Sequence, residues 1–124
     1  MAVVRDADRK RLTQLAREAR DLTGRARAGE LAAGELAGAT FTVSNLGGSG
    51  VDRVLALIDP PQAAVLAVGA VRGEPAAVGD GAVAVRRRMR LTLSIDHRAL
   101  DGATGAGFLA QLKSVLEQPL PIVA

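Results

Sequence analysis

The stretch QAAVLAVGAV, residues 62–71, is apolar at odd and even positions alike. A strand with one solvent-facing side would alternate apolar and polar residues, so this stretch predicts a strand that is buried on both faces. Such a strand lies inside a sheet whose two sides are each covered by another part of the chain. The rest of the sequence must therefore supply both neighbouring strands and covering elements.

Two other stretches alternate and predict further strands. Residues 39–45 (ATFTVSN) have an apolar face and a polar face, formed by Phe41 and Val43 and by Thr40, Thr42 and Ser44. Residues 88–97 (RMRLTLSIDH) have one shared face, formed by Met89, Leu91, Leu93, Ile95 and His97. Residues 77–85 (AVGDGAVAV) predict a hairpin that turns at Gly79-Asp80-Gly81. Between the first strand and residues 62–71, the glycines of LGGSG (46–50) interrupt regular structure.

Helical periodicity predicts one long helix near each end of the chain. Residues 6–28 have an apolar stripe at helical spacing, and Gly29 is suited to end that helix. ELAAGEL (30–36) predicts a further short helical turn. The last helix, residues 101–117, begins with Asp101 as its N-cap, and its stripe consists of Leu109, Leu112, Val115 and Leu116. The fold class is therefore α+β, with a mixed or antiparallel sheet and flanking helices.

The composition excludes several classes of function. The chain has 124 residues, which suit one domain, with no cysteine and one histidine, so a thiolate nucleophile and a cysteine- or histidine-rich metal site are ruled out. Aromatic residues make up only 2%, which argues against stacking on nucleic-acid bases. The run RRRMR (86–90) instead predicts a solvated strand face formed by Arg86, Arg88 and Arg90.

The sequence also indicates where the protein acts. No apolar run reaches the ~20 residues of a membrane span, and the N-terminus is charged too early for a signal peptide. We therefore expect a cytoplasmic protein without a membrane partner. Its composition, rich in alanine, glycine and arginine, favours a bacterial source.

The stretch SIDHRALDG (94–102) contains the only histidine, His97, at the end of a predicted strand. A neutral imidazole there suits general-base chemistry near neutral pH, while Asp101, at a helix N-terminus, is stabilised as a carboxylate that can hold the histidine loop. The alternative is a locally packed histidine and a simple N-cap. A metal site of Asp96, His97 and Asp101 is disfavoured, since it lacks a second histidine and Asp96 points away from His97 in a strand.

Ser44 is the second candidate, on the polar face at the end of a strand and directly before the glycine-rich break. Its hydroxyl has two possible chemical roles: donor to an oxyanion, or nucleophile of a serine, histidine and aspartate set. A strand-end serine that caps backbone groups is the non-catalytic alternative. The glycine-rich stretch lacks the spacing and the lysine of a phosphate-binding loop.

Taken together, these motifs are similar to a known family. FTVSNLGGSG (41–50), DPPQAAVLAVGAV (59–71) and RMRLTLSIDHRALDGATGAGFL (88–109) resemble, in order and spacing, the C-terminal half of the catalytic domain of dihydrolipoamide acyltransferases. These enzymes are the E2 components of 2-oxo acid dehydrogenase complexes. Residues 3–31 resemble the helix that precedes the first of these strands. The resemblance covers essentially the whole chain, as one partial catalytic domain.

The resemblance implies a fold and a reaction. The fold is the chloramphenicol-acetyltransferase-like fold, and the reaction moves an acyl group between dihydrolipoamide and coenzyme A, both of them substrates, without a metal. His97 is then the base that deprotonates the attacking thiol, Ser44 donates to the tetrahedral oxyanion, and Asp101 supports the histidine loop. Asn45, Arg98 and Gly102 bind coenzyme A or support the site.

The resemblance also implies partners. Family members form trimers, in which the histidine of one subunit faces the hydroxyl of its neighbour, and they work with E1 and E3 components and with lipoyl domains. This chain contains about half a catalytic domain, with no lipoyl domain and no peripheral subunit-binding domain, so the lipoyl group is expected on another domain or chain. A non-catalytic assembly core or truncated remnant of such a protein is therefore the alternative function.

Overall fold

The computed structural model describes residues 1–123, which form three helices and five strands. The helices are α1 (Leu12–Ala28), α2 (Gly102–Glu117) and α3 (Leu120–Val123); the strands are β1 (Thr42–Asn45), β2 (Ala64–Val68), β3 (Arg72–Ala77), β4 (Val83–Arg88) and β5 (Leu91–Ile95). The chain divides into two compact units. Residues 1–40 and the chain from Phe108 onward form one, and residues 41–107 form the other. Among the described residues, no helix combines the length and the apolar character needed to cross a membrane.

The second unit contains a mixed three-stranded sheet in the order β1-β2-β5. β1 runs parallel to β2, and β5 runs antiparallel to it. The central strand is buried over Ala64–Ala67, and Val65 is only 1% exposed. The prediction of a strand buried on both faces is confirmed, and so is the mixed sheet of the predicted α+β class.

Two different elements cover the faces of this sheet. On one face, a Cβ added to Gly105 of α2 would lie 3.3 Å from Cδ1 of Ile95, so the helix backbone approaches β5 closely. On the other face, the hydroxyl of Ser94 donates to the carbonyl of Ala56 at 2.9 Å. Ala56 belongs to residues 51–59, which have no helical or strand structure. The cover on the second face is therefore an irregular segment, which periodicity cannot reveal.

The alternation of β1 is as predicted, but its burial is the reverse of the usual pattern. Thr42 is 8% exposed, and its hydroxyl donates to Oε1 of the equally buried Gln62 at 2.7 Å. Val43, on the apolar face, is 58% exposed. The polar Thr42 side chain is tolerated inside because it has a buried hydrogen-bond partner. The apolar Val43 side chain is left exposed on β1, which lies at the edge of the sheet.

Strands β3 and β4 form the predicted hairpin. The amide of Val78 donates to the carbonyl of Ala82 at 2.9 Å. Asp80 has a left-handed φ of 44°, and the glycines on both sides of it are also left-handed. The prediction of a solvated arginine face is right for Arg86 and Arg88 but wrong for Arg90. The Arg90 guanidinium binds the carboxylates of Asp52 and Glu74 at 3.0 Å and 2.9 Å, because it lies beyond β4, in the connection to β5.

The first unit contains α1, which begins later than predicted. Asp6 is left-handed (φ 47°) and Arg11 is extended (ψ 152°), so residues 6–11 hold only a single helical turn at Ala7–Arg9. Gly29 ends α1 with a φ of 74°, as predicted. The predicted turn within ELAAGEL is also present, at Ala33–Glu35.

Candidate functional site

Ser44 lies in β1, half-buried and in register with Ala67 of β2. Next to it, Oδ1 of Asn45 accepts a hydrogen bond from the amide of Gly47 at 2.9 Å, which turns the chain out of the strand. Gly47 must be a glycine in this geometry, since an added Cβ would lie 2.7 Å from the carbonyl oxygen of Gly69. Within residues 1–123 the Ser44 hydroxyl makes no hydrogen bond, so it is available to a ligand.

His97 lies outside the strand that was predicted to carry it. β5 ends at Ile95, and His97 begins a turn over residues 97–99, where its side chain is exposed. The strand stops here because the carbonyl of Asp96 accepts the amides of Ala99 (2.9 Å) and Leu100 (3.0 Å), which closes the turn. Neither ring nitrogen of His97 has a hydrogen-bond partner in the described part of the chain, and the imidazole is accessible.

Asp96 organises this turn, a role that the sequence analysis missed. Its Oδ1 accepts the amide of Arg98 at 3.0 Å, and its two carboxylate oxygens accept Nε and Nη2 of Arg98 at 3.0 Å and 2.6 Å. These hydrogen bonds from Arg98 lower the pKa of Asp96 to about 2. The spacing Asp-x-Arg across a strand end was the available signal, because a short acidic side chain there readily bonds the backbone two residues on.

Asp101 is the N-cap of the last helix, as predicted. Its Oδ1 accepts the amide of Thr104 at 2.7 Å, and hydrogen bonds from Thr104 lower the pKa of the carboxyl below its usual value. Gly102 is the first residue of α2, and a Cβ added there would meet no described atom within 4 Å. Packing within the described chain therefore does not require glycine at this position.

Ser44 and His97 lie at opposite ends of the same sheet. Ser44 is level with Ala67 and, across it, with Thr92, whereas His97 follows Ile95, which is level with Ala64. Two strand spacings and three residue rises separate the Cα atoms of Ser44 and Ile95, about 14 Å in all. His97 lies two residues further on, so the two side chains do not meet around one reacting atom within one chain.

The carboxylates near His97 already have partners. Asp96 is bound by Arg98, and Asp101 by the start of α2. Among residues 1–123 no cluster of three or more histidine, cysteine, aspartate or glutamate side chains is arranged to hold a metal ion. The groups available for chemistry are thus the accessible imidazole of His97 at one end of the sheet and, at the other, the hydroxyl of Ser44, which makes no hydrogen bond to a described residue.

Known proteins resemble this chain over its full length. Residues 1–124 match the sequence profile of the family described as 2-oxoacid dehydrogenases acyltransferase (catalytic domain). The dihydrolipoyllysine-residue acetyltransferase component of the pyruvate dehydrogenase complex of Zymomonas mobilis is 38% identical over 122 residues. That match covers 98% of this chain but only 28% of the relative, so this chain spans little more than a quarter of that protein.

Two solved structures give the same result. One comes from crystallographic and enzymatic work on the role of a serine, a histidine and an asparagine in the catalytic mechanism of Azotobacter vinelandii dihydrolipoamide acetyltransferase, with a TM-score of 0.91 at 36% identity. The other is the cubic core of the pyruvate dehydrogenase multienzyme complex, with a TM-score of 0.91 at 35% identity. Each match covers 99% of this chain and 50% of the other. The expected acyltransferase fold is confirmed.

Proposed function

Since this chain belongs to the 2-oxoacid dehydrogenases acyltransferase family, we propose that it transfers an acyl group between dihydrolipoamide and coenzyme A in a 2-oxo acid dehydrogenase complex. The observation that carries the proposal is the pair of accessible groups that the fold offers, the His97 imidazole and the Ser44 hydroxyl. An unpaired imidazole suits proton transfer at neutral pH. The names of the relatives, acetyltransferases rather than assembly proteins, favour this function over a non-catalytic core.

In the proposed reaction the neutral imidazole of His97 takes the proton from the thiol of coenzyme A. The thiolate attacks the carbonyl carbon of the acyl-dihydrolipoamide thioester, and a tetrahedral intermediate forms. Its collapse breaks the bond to the dihydrolipoamide sulfur, which leaves as a thiol after it receives the proton from the imidazolium. The products are acyl-coenzyme A and dihydrolipoamide, and the charge on His97 returns to its initial state.

Ser44 acts on the oxygen of the intermediate. As the carbonyl oxygen gains negative charge, a preorganised hydroxyl stabilises it more than it stabilises the ground state. The hydroxyl of Ser44 suits this role because it makes no hydrogen bond to a described residue. The attacking group in this reaction is a thiol, so no acyl-serine forms, which distinguishes Ser44 from the nucleophile of a protease.

Ser44 and His97 lie at opposite ends of the sheet, with about 14 Å between the Cα atoms of Ser44 and Ile95, so the reaction would need a site shared between copies. His97 of one copy and Ser44 of a neighbour would form each site, and a trimer closes such head-to-tail contacts into a ring. Residues 51–59 offer a surface for the contact: the side chains of Leu55 and Leu57 are 85% and 94% exposed, and the amides of 53–58 donate to no described acceptor. The cubic core among the similar structures supports such an assembly.

The reaction also defines the other partners. Coenzyme A is the free thiol substrate, and the acyl group would arrive on a lipoyl domain loaded by the E1 component. The E3 component would reoxidise the dihydrolipoamide that the transfer leaves. Asn45, Arg98 and Gly102 would bind coenzyme A or support the site, and Asp101 would hold the histidine loop. A cytoplasmic location stays a prediction.

Mixing two inactive variants of the intact protein tests both the residues and the shared site. We expect His97→Ala to lose roughly 100- to 10,000-fold in kcat and Ser44→Ala roughly 100- to 1,000-fold, each with normal folding by circular dichroism. The two variants are dissociated, mixed and reassembled. If each site is shared, an intact site forms wherever a copy that keeps His97 lies next to a copy that keeps Ser44. Random assembly from equal amounts returns roughly a quarter of the wild-type sites.

The outcomes separate the competing functions. No activity after mixing, with each variant folded and co-assembled, would contradict a shared site. Full turnover by His97→Ala would contradict the base assignment itself. If the intact wild-type protein assembles but transfers no acyl group, it is an assembly core rather than an enzyme.

A further inference from the structure

The residue before His97 makes more hydrogen bonds to the histidine turn than any other side chain in the described chain. Four hydrogen bonds join Asp96 to Arg98: one from the Arg98 amide and three from its guanidinium. The carbonyl of Asp96 accepts two more amides, those of Ala99 and Leu100. All six bonds have their acceptor on Asp96 and their donors on the three residues that follow His97.

We propose that Asp96 is a positioning residue that fixes the backbone of His97 and so aims the imidazole at the thiol. This inference rests on the proposed function, which gives Asp101 the supporting role and assigns nothing to Asp96. In the structure the two carboxylates act at different places: Asp101 fixes the start of α2, and Asp96 fixes the turn itself.

The geometry restricts His97 directly. The hydrogen bond from the Arg98 amide to Asp96 closes a ring of atoms that contains both peptide units of His97. A change in φ or ψ of His97 would move that amide away from the carboxylate, so the bond holds both angles. The guanidinium bonds reinforce the ring, because they engage both carboxylate oxygens and so restrict rotation of the carboxylate.

The same bonds contribute little to overall stability. The Arg98 side chain is 88% exposed and that of Asp96 is 25% exposed, and an ion pair with one well-solvated partner is screened by water and contributes modestly. A residue with many bonds but little effect on stability is expected to act on local geometry. Misplacement of a catalytic group by about 1 Å can cost roughly 100-fold in rate.

Substitution of Asp96 in the intact protein tests this role. We expect Asp96→Ala to lower kcat roughly 10- to 100-fold, because the imidazole is no longer held in one direction. The KM for coenzyme A should change less than kcat, because Asp96 itself has no place in substrate binding and the variant keeps Arg98, although it releases the Arg98 guanidinium. Asp96→Asn, which keeps an oxygen acceptor for the Arg98 amide, should lie between the wild type and Asp96→Ala.

A matched control separates positioning from a general effect of charge. Asp80→Ala removes an exposed carboxylate from the β3–β4 turn, where it makes no ion pair with a described residue, and should leave kcat unchanged. In the double variant of Asp96→Ala and His97→Ala, the loss should equal that of His97→Ala alone, since Asp96 acts only through His97. Folding of each variant is checked by its unfolding midpoint, and Asp96→Asn decides the question if Asp96→Ala does not fold.

Three outcomes would overturn the inference: an unchanged kcat in the Asp96 variants, an equal loss in Asp80→Ala, or a further loss on top of His97→Ala. These are distinct from failure of the proposed function. If His97→Ala retains full turnover, the reaction scheme is wrong. If His97→Ala is inactive while both Asp96 variants keep wild-type kcat, the scheme stands and the role of Asp96 is wrong.

Discussion

The two ends of the three-stranded sheet hold their candidate side chains by different physical means. Ser44 is held by long-range structure: its strand pairs with β2, its neighbour Thr42 binds the buried Gln62, and the chain after it passes close to Gly69. His97 is held by local bonds: Asp96 binds the Arg98 amide within the turn, and Asp101 caps the helix that follows the turn. One group depends on the core of the unit, and the other depends on a few neighbours in sequence.

This difference predicts where function and stability are linked. Changes around Ser44 disturb buried groups and should lower the free energy of unfolding together with activity. Changes around His97 disturb local hydrogen bonds near the surface and should alter activity with a smaller loss of stability. In the proposed reaction, oxyanion stabilisation requires a donor held rigidly in place, which suits the first arrangement. The exposed turn leaves the proposed base accessible to the Ser44 end of a neighbouring copy.

The largest effect on stability is expected for Gly69→Ala, at the Ser44 end. An added Cβ would lie 2.0 Å from the carbonyl oxygen of Asp52, a contact that only a backbone shift can relieve. We expect a loss of about 3 kcal/mol in the free energy of unfolding, the upper end of the usual range for overpacking, measured by urea denaturation and circular dichroism. The close contact of Asp52 and Gly69 lies directly after the end of β2 that pairs with Asn45, so the Ser44 end of the sheet should be disrupted first.

Gly48→Ala is the control, because a Cβ there meets no described atom within 4 Å. It lies in the glycine-rich stretch 46–50, at the same end of the sheet, and tests whether any added methyl group there is harmful. A stability change in Gly69→Ala no greater than that in Gly48→Ala would contradict the close approach of Asp52 and Gly69. It would also weaken the contrast between a core-dependent end and a locally held end.

A smaller effect is expected for Thr42→Val, which keeps the shape of the side chain but removes its hydroxyl. The buried Oε1 of Gln62 then loses its hydrogen bond, and we expect a loss of about 1–3 kcal/mol in the free energy of unfolding. Thr40→Val, at an exposed position, is the matched control and should change little. Equal unfolding midpoints for the two variants would mean that the buried pair does not hold β1.

Much of the fold follows from local patterns in the sequence. The doubly apolar stretch 62–71 predicts the central strand, Gly79-Asp80-Gly81 predicts the hairpin turn, and Gly29 predicts the end of α1. Asp101 is recognisable as a cap because helix N-termini leave amides without partners. Each of these features depends on residues that are close together in sequence, which is why the pattern alone is sufficient.

The features that the sequence did not predict depend on distant partners. Thr42 faces inward because Gln62, twenty residues later, can bond it, and Arg90 leaves its predicted solvated face because Asp52 and Glu74 come close to it in the fold. His97 leaves the strand because Asp96 closes a turn, a competition between two local structures that alternation cannot resolve. The separation of Ser44 from His97 requires the strand register, which no local pattern contains.

The smallest effect on stability is expected at the His97 end, for Asp101→Ala. Loss of the cap on α2 should lower the thermal midpoint by roughly 5 °C, whereas Asp101→Asn keeps an oxygen for the Thr104 amide and should cost less. The pKa of Asp101 is lowered in the folded protein by hydrogen bonds from Thr104, so its contribution is complete above the unfolded pKa of about 3.9 and is lost as the pH falls through the folded pKa. The advantage of the wild type over Asp101→Ala should therefore shrink below pH ~4, while Asp101→Asn, which does not titrate, should keep its own advantage there. If the thermal midpoints of the three proteins, measured from pH 7 to pH 3, stay parallel, then the ionised cap does not hold the start of α2, and the histidine turn would depend on Asp96 alone.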